Sequence, residues 1–78
     1  MIKSATISGT TSATGNFLSD IKISERLIIC AYSNSADGVT VLPYTTSGQT
    51  YYQMKALQYD NTAYSNKSIS ITYYYIDK

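Results

Sequence analysis

The sequence predicts an all-β fold, namely a small antiparallel β-sandwich of about six strands with a jelly-roll-like arrangement. Three observations support this prediction. Apolar residues keep a helical spacing nowhere in the chain, whereas β-branched and aromatic residues alternate with polar ones in short runs. Clusters of turn-forming residues separate these runs at intervals of about 8–12 residues. Nine of the 78 residues are tyrosine, which favours a half-buried pleated surface.

Two strands are expected in the first third of the chain. The first covers residues 2–8 and is followed by a turn-rich connection, residues 9–16, whose two glycines permit positive φ. A short strand is expected around residues 16–18. The next stretch, residues 19–25, fits neither the helical nor the strand period, so we expect a loop or a single turn there.

The middle of the chain predicts a buried strand and a hairpin. Residues 26–33 are almost continuously apolar, which favours a central strand covered on both faces. Cys30 lies inside this run and is expected to be a buried thiol that acts as a small hydrophobe. Residues 34–38 end in Asp-Gly and predict a hairpin loop. The following strand, residues 39–44, contains Pro43, which belongs at a sheet edge, a bulge or a strand end.

The last third predicts two longer strands. Residues 45–49 form a second hairpin loop, and residues 50–59 form a strand. Residues 60–66 form a third loop before the final strand, residues 67–76. Apolar and polar residues alternate most regularly in this final strand, so one face is expected in the core and the other toward solvent or a partner. The face that carries the larger apolar residues consists of Ile69, Ile71, Tyr73 and Tyr75.

Length, charge and residue inventory exclude several classes of function. A chain of 78 residues forms one domain, and its net charge of +1 comes from dispersed side chains without a basic stripe, so nucleic acid is not an expected partner. No apolar stretch approaches the roughly 18 residues of a membrane span, so no membrane insertion is expected. Small β domains often depend on oligomerisation, which favours a homo-oligomer.

Catalysis and metal binding lack the necessary side chains. The chain has no histidine, so a Ser-His or Cys-His nucleophile pair cannot form within it, and we predict that it is not an enzyme. Asp37 and Asp60 lie in different predicted loops, expected at opposite ends of the domain, and therefore do not suggest a paired-carboxylate site. A single cysteine cannot supply a zinc site. No metal and no cofactor are expected.

Ligand binding is chemically feasible at the loops. Aromatic rings pack against the C–H faces of sugars, and amide, carboxylate and hydroxyl groups bond their hydroxyls. Tyrosines flank the three predicted loops, which also carry Asn, Gln and Asp side chains. The residues that we predict to face a ligand are Asn34, Asp37, Gln49, Tyr51, Asp60 and Tyr64.

Several short segments resemble a known class of module. They occur in the order Ile7-Ser8-Gly9-Thr10-Thr11-Ser12 with Gly15-Asn16, Ala31-Tyr32-Ser33, Val41-Leu42-Pro43-Tyr44, residues 47–52, and the terminal strand that contains Tyr73-Tyr74-Tyr75. Together they span nearly the whole chain. The pattern resembles the short C-terminal modules of tail-fibre and minor tail proteins, which are receptor-binding proteins of phages and prophages of Gram-positive bacteria. Residues 19–25 depart from that pattern as an insertion.

The resemblance implies a function as well as a fold. It implies that residues 1–78 are a single β-sandwich domain, the excised C-terminal tip of a longer protein, and that the tip forms a homotrimer on a virion. Such a tip folds in the host cytoplasm and acts outside the cell. It contributes to recognition of the host surface, commonly a cell-wall or capsular saccharide, so the implied partner is a bacterial surface glycan. The resemblance assigns no ligand residue.

Two alternatives remain open at this point. One is a purely structural trimerisation or capping knob of a fibre that has no ligand. The other is a carbohydrate-binding module of a secreted glycanase.

Overall fold

The computed structural model describes all 78 residues and contains six strands and no helix. The strands alternate inward and outward side chains because successive residues of a strand point to opposite faces. Their bounds are β1 (Lys3–Thr10), β2 (Asn16–Lys22), β3 (Arg26–Ser33), β4 (Thr40–Tyr44), β5 (Tyr51–Leu57) and β6 (Ser68–Asp77).

The strands form two antiparallel sheets of three, which confirms the predicted all-β sandwich. The first sheet has the order β1-β6-β3 and the second has the order β2-β5-β4. The first strand pairs with the last, with Thr6 opposite Thr72, and β2 pairs with β5, with Phe17 opposite Met54. This nested pairing is the jelly-roll arrangement, in which the chain folds back on itself as a long rolled hairpin.

Only one of the connections between consecutive strands is a hairpin. Residues 45–50 join β4 to β5 within the second sheet, with Val41 opposite Ala56. Residues 34–38 were expected to form another hairpin loop, but β3 pairs with β6 and β4 pairs with β5, so the connection 34–39 crosses between the sheets. Its Gly38 has a φ of 70°, as the predicted Asp-Gly turn requires. Pro43 lies in β4, an edge strand of the second sheet, as expected.

The core lies between the two central strands, β5 and β6. The alternation predicted for the last strand is present, with Ile69, Ile71, Tyr73 and Tyr75 inward, and β5 alternates in the same way, with Tyr52, Met54 and Ala56 inward. Met54, Ile71 and Tyr73 are the largest side chains that are fully buried. The buried apolar residues are Ile21, Val41, Tyr52, Met54, Ala56, Ile69, Ile71, Tyr73 and Tyr75.

Arg26 gathers tyrosine side chains of both sheets at the rim of this core. The Tyr52 hydroxyl, on β5, donates a hydrogen bond of 2.9 Å to the backbone carbonyl of Arg26 on β3. The Arg26 guanidinium donates to the Tyr73 hydroxyl at 2.5 Å and lies 4.1 Å from the centre of the Tyr75 ring. Burial raises the pKa of Tyr73. The buried rings of Tyr52 and Tyr73 therefore each keep a partner for the hydroxyl group, as burial of a polar group requires.

The prediction for β3 was wrong in two respects. This strand lies at the edge of the first sheet, where only its inward face is covered. Its register against β6 shifts between Ile28 and Cys30, so a bulge leaves both Ile29 and Cys30 on the exposed side. Cys30 is therefore an exposed free thiol and not a buried one. A run of apolar residues cannot by itself distinguish a central strand from an edge strand, or a buried thiol from an exposed one.

The second strand is longer than predicted. It continues to Lys22 through residues that were expected to form a loop. The register of β2 against β5 is irregular between Leu18 and Lys22, which obscures the alternation in the sequence. At this irregularity the buried Ser19 hydroxyl donates to the Tyr52 carbonyl at 2.7 Å and accepts from the Ile21 amide at 3.2 Å. The side chain therefore replaces ladder hydrogen bonds that the irregular register omits.

The two ends of the sandwich differ in what they carry. The end that we call the loop end holds the connections 11–15, 34–39 and 58–67. The opposite end, the terminal end, holds the connections 23–25 and 45–50 together with both chain termini. There the Lys3 ammonium donates to the Asp77 carboxylate, which raises the pKa of Lys3 and lowers the pKa of Asp77. This ion pair is exposed and therefore adds little stability.

Two glycines with the same backbone conformation provide a test of the packing at the loop end. Gly15 and Gly48 have φ values of 80° and 82°, but a Cβ on Gly15 would lie 2.7 Å from the Ala56 carbonyl oxygen, whereas one on Gly48 would meet nothing within 4 Å. We expect Gly48→Ala to cost about 1 kcal/mol of unfolding free energy through backbone strain alone. Gly15→Ala should cost about 3 kcal/mol because the clash adds to the strain.

Urea unfolding followed by circular dichroism measures both values. Equal losses for the two variants would show that the connection containing Gly15 is not packed against β5 as described.

Candidate functional site

The loop end owes its shape to Thr11, one of the few buried polar residues. Its hydroxyl donates to the Tyr64 carbonyl at 2.5 Å and accepts from the Lys67 amide at 3.1 Å. Its own amide donates to the Lys67 carbonyl at 2.9 Å. These bonds join the end of β1 to the connection between β5 and β6. The position of Tyr64 is therefore fixed by hydrogen bonds of the backbone and not by side-chain packing alone.

Tyr64 stands between the core and the solvent. Its amide donates to the Ala56 carbonyl at 3.0 Å, and its half-buried ring packs against the hydrophobic core. The Lys67 ammonium lies 5.1 Å from the centre of the ring. A ring held in this way presents a fixed apolar surface to whatever occupies the space beside it.

The exit of β3 is fixed beside the start of β6. The Asn34 amide donates to the Ser70 carbonyl at 2.7 Å, and the Asn34 side-chain oxygen accepts from the Thr72 hydroxyl at 3.0 Å. The Ser35 hydroxyl accepts from the Ser70 amide at 3.0 Å. These contacts continue the edge of the first sheet with side chains where β3 has ended. They also commit the Asn34 oxygen to the protein.

Between these two fixed elements lies an open cavity of about 440 Å³. Serine hydroxyls dominate its wall, because Ser8 on β1 pairs with Ser70 on β6. The Tyr64 ring, the Ile69 side chain and Gly9 form the apolar part of the wall. The lining residues are Ser8, Gly9, Ser35, Tyr64, Ser68, Ile69 and Ser70. We call this cavity the serine hollow.

The serine hollow is chemically suited to a neutral polar ligand. Each hydroxyl can donate one hydrogen bond and accept others, and it can rotate to suit its partner. The Tyr64 ring supplies a flat apolar surface in the same cavity. No charged side chain lines the hollow. The arrangement can therefore hold a polyhydroxylated molecule by hydrogen bonds and ring contact.

Asp60 is occupied by the turn that contains it. Its carboxylate accepts hydrogen bonds from the Thr62 hydroxyl at 2.6 Å and from the Thr62 amide at 3.2 Å. The Thr62 bonds lower the pKa of Asp60. A carboxylate that bonds its own backbone two residues ahead is a turn former. Asp60 and the exposed Asp37 both lie at the loop end, not at opposite ends as expected, and neither lines the serine hollow.

The structure does not bring the six predicted ligand residues together. Asn34, Asp37, Asp60 and Tyr64 lie at the loop end, and only Tyr64 lines the serine hollow. Gln49 and Tyr51 lie at the terminal end, because β5 begins there. The residues that the sequence suggested as a single ligand-facing set are therefore divided between the loop end and the terminal end.

Sequence reasoning missed the serines of the hollow. A signal was present, since Ser68, Ser70 and Thr72 alternate with apolar residues along β6. Ser8 has the same relation to Ile7 on β1, but its position opposite Ser70 depends on a strand pairing across most of the chain. Serine is also common in this sequence, so no single serine stands out.

Two other depressions complete the surface. One of about 430 Å³ lies between β1 and β2, where both sheets have an open edge, and Phe17 and Leu18 contribute to its wall. The other, of about 230 Å³, is lined by charged residues near Arg26 at the terminal end. The first combines hydroxyl groups with the Phe17 ring, but the charged Asp20 lines both depressions, whereas no charged side chain lines the serine hollow. The serine hollow is therefore the preferred candidate site.

Comparison of the chain with protein-family models, with curated proteins and with solved structures gives no match. The structure contains no helix able to cross a membrane. No group of three or more Cys, Asp or Glu side chains gathers at one place.

The turn around Asp60 gives a pH prediction. We expect Thr62→Val to raise the pKa of Asp60 toward its ordinary value of 3.8, because the stronger of the two bonds is lost. Because the pKa of Asp60 is lower in the folded than in the unfolded state, the ionised carboxylate stabilises the fold at pH values above the unfolded pKa. This contribution is lost as the pH falls through the folded-state pKa. Carboxyl-carbon NMR titration of the folded protein measures the change.

Thr46→Val, in the connection at the opposite end, serves as the control and should leave the Asp60 titration unchanged. An Asp60 pKa that is insensitive to Thr62→Val would contradict the hydrogen-bonded turn described above.

Proposed function

We propose that this domain binds a neutral saccharide of a bacterial surface, from the cell wall or the capsule, without chemically altering it. The observation that carries the proposal is the serine hollow, where hydroxyl groups from β1, β6 and the connection after β3 line one cavity together with the ring of Tyr64. Sugars offer hydroxyl groups for the serines and C–H faces for the ring. The absence of histidine and of charge in the hollow fits binding better than turnover.

The biological setting follows from the resemblance to tail-fibre modules. In this setting the domain is the tip of a phage tail fibre, folds in the host cytoplasm and acts on the virion outside the cell. A single open hollow binds weakly. Several copies on one particle raise the overall avidity without any new contact, which is how a weak tip becomes an effective receptor-binding element.

The position of the hollow suits this role. It lies at the loop end, away from both chain termini, so an attachment at either terminus leaves it free. The connections that frame it are held by backbone hydrogen bonds from Thr11 and Asn34. A site that is already ordered loses little conformational freedom when a ligand binds.

A matched pair of tyrosines tests the proposal. Tyr64→Leu keeps apolar bulk against the core but removes the flat ring from the hollow, and we expect about tenfold weaker saccharide binding. Tyr51→Leu makes the same chemical change at the terminal end and should leave affinity unchanged. The probes are purified cell-wall and capsular polysaccharides from Gram-positive bacteria, with binding measured by calorimetry on variants whose folding is verified by thermal melting.

A second variant tests the same hollow and does not depend on the stability of the Tyr64→Leu variant. Ser8→Gln projects a longer side chain into the hollow from an exposed position and should also weaken binding. If Tyr51→Leu weakens binding as much as Tyr64→Leu does, or if Ser8→Gln has no effect, the ligand binds elsewhere. If the wild-type domain adsorbs to no polysaccharide, the structural alternative of a capping knob is favoured.

A further inference from the structure

An apolar area interrupts the outer face of the first sheet. On β3 it includes Leu27, and on β6 it includes Ile76, which pairs directly with Leu27. The rings of Tyr32 and Tyr74 lie beside it with centres 6.2 Å apart. We call this area the apolar strip, and its members are Leu27, Ile29, Cys30, Tyr32, Tyr74 and Ile76.

The bulge in β3 places two consecutive residues of the strip, Ile29 and Cys30, on the exposed side. On the outer face of the first sheet, the Ile29 side chain is 50% exposed and the Tyr32 side chain is 47% exposed. Edge strands of isolated domains usually carry charged residues or proline that discourage contact with other chains. Between Leu27 and Ser33, β3 carries neither. Nothing in the sequence of this edge therefore opposes association.

The charge distribution identifies what can cover the strip. The outward positions of all three strands in the first sheet carry no charged side chain. The outward face of the second sheet carries Asp20, Lys22 and Lys55. Two identical surfaces that meet bring like charges together, so a charge-free face is the one suited to a second copy. It also lacks the cations with which a protein attracts anionic lipid headgroups.

The dimensions of the molecule agree with this assignment. An interface of standard size needs about 800 Å² from each partner. The domain measures 33 × 26 × 18 Å, so only a broad sheet face provides an area of that order. Of the two broad faces, the outer face of the first sheet carries the apolar strip and no charged side chain. Aromatic enrichment and depletion of charge are the usual composition of an interface core.

We propose that identical copies of this chain pack against one another through the apolar strip. In a symmetric oligomer, equivalent residues near the symmetry axis meet. The strip is centred on the bulge of β3, so the Cys30 thiols of neighbouring copies come close together there. Cys30 is the only cysteine of the chain and therefore reports on this contact without any engineered residue. The proposal does not depend on saccharide binding, because the serine hollow lies at the loop end.

Light scattering and cross-linking of the whole domain test the proposal together. The wild-type mass should be a multiple of 8.6 kDa, and a short bis-maleimide should join subunits through Cys30. Ile29→Lys buries an unpaired charge in the contact, so it should weaken association about 30-fold or more and abolish cross-linking. Leu18→Lys is the control. It makes a comparable change on the second sheet, where Leu18 is 53% exposed, and should leave both results unchanged.

Three outcomes would overturn the proposal. They are a monomeric wild type at about 100 µM, an oligomer that survives Ile29→Lys, and an oligomer that Leu18→Lys dissociates equally well. Thermal melting of both variants separates loss of association from loss of folding. Because the substituted side chains are half exposed, each variant should fold.

Discussion

The structure depends on the contact between the inward faces of β5 and β6. These two strands are the centres of their sheets, and they supply all three of the largest fully buried side chains, Met54, Ile71 and Tyr73. A domain of 78 residues has room for only one such apolar layer. Tyrosine widens the layer because its ring packs in the core while its hydroxyl reaches the rim. There the Arg26 carbonyl accepts a hydrogen bond from the hydroxyl of Tyr52 in the second sheet. The Arg26 guanidinium donates a hydrogen bond to the hydroxyl of Tyr73 in the first sheet.

The same layer positions the candidate site. Ile69 is buried in the core and Tyr64 packs against the core, and both residues also line the serine hollow. The apolar part of the wall is therefore continuous with the core, while the rest of the wall consists of hydroxyl groups that can rotate to suit a ligand. An apolar surface combined with a few polar groups is typical of sites that bind small molecules.

The sequence predicted the core well and the surface poorly, for a physical reason. Alternation along β6 depends only on neighbouring residues, so its inward face could be predicted from the chain alone. The exposure of Cys30 depends on a bulge and on the place of β3 at a sheet edge, and neither leaves a local pattern. The meeting of Ser8 with Ser70 depends on a pairing between the first and last strands. Of the predicted ligand residues, the hollow retains Tyr64, because an aromatic residue beside a loop is a local signal.

The place of β6 in the first sheet has a consequence for biosynthesis. The last strand to be made is the one between β1 and β3, which do not touch each other within their sheet. During translation those two strands therefore have no strand to pair with until the ten residues of β6 have been synthesised. Until then the first sheet cannot form. A premature stop codon anywhere before β6 therefore leaves a polypeptide that cannot form the first sheet.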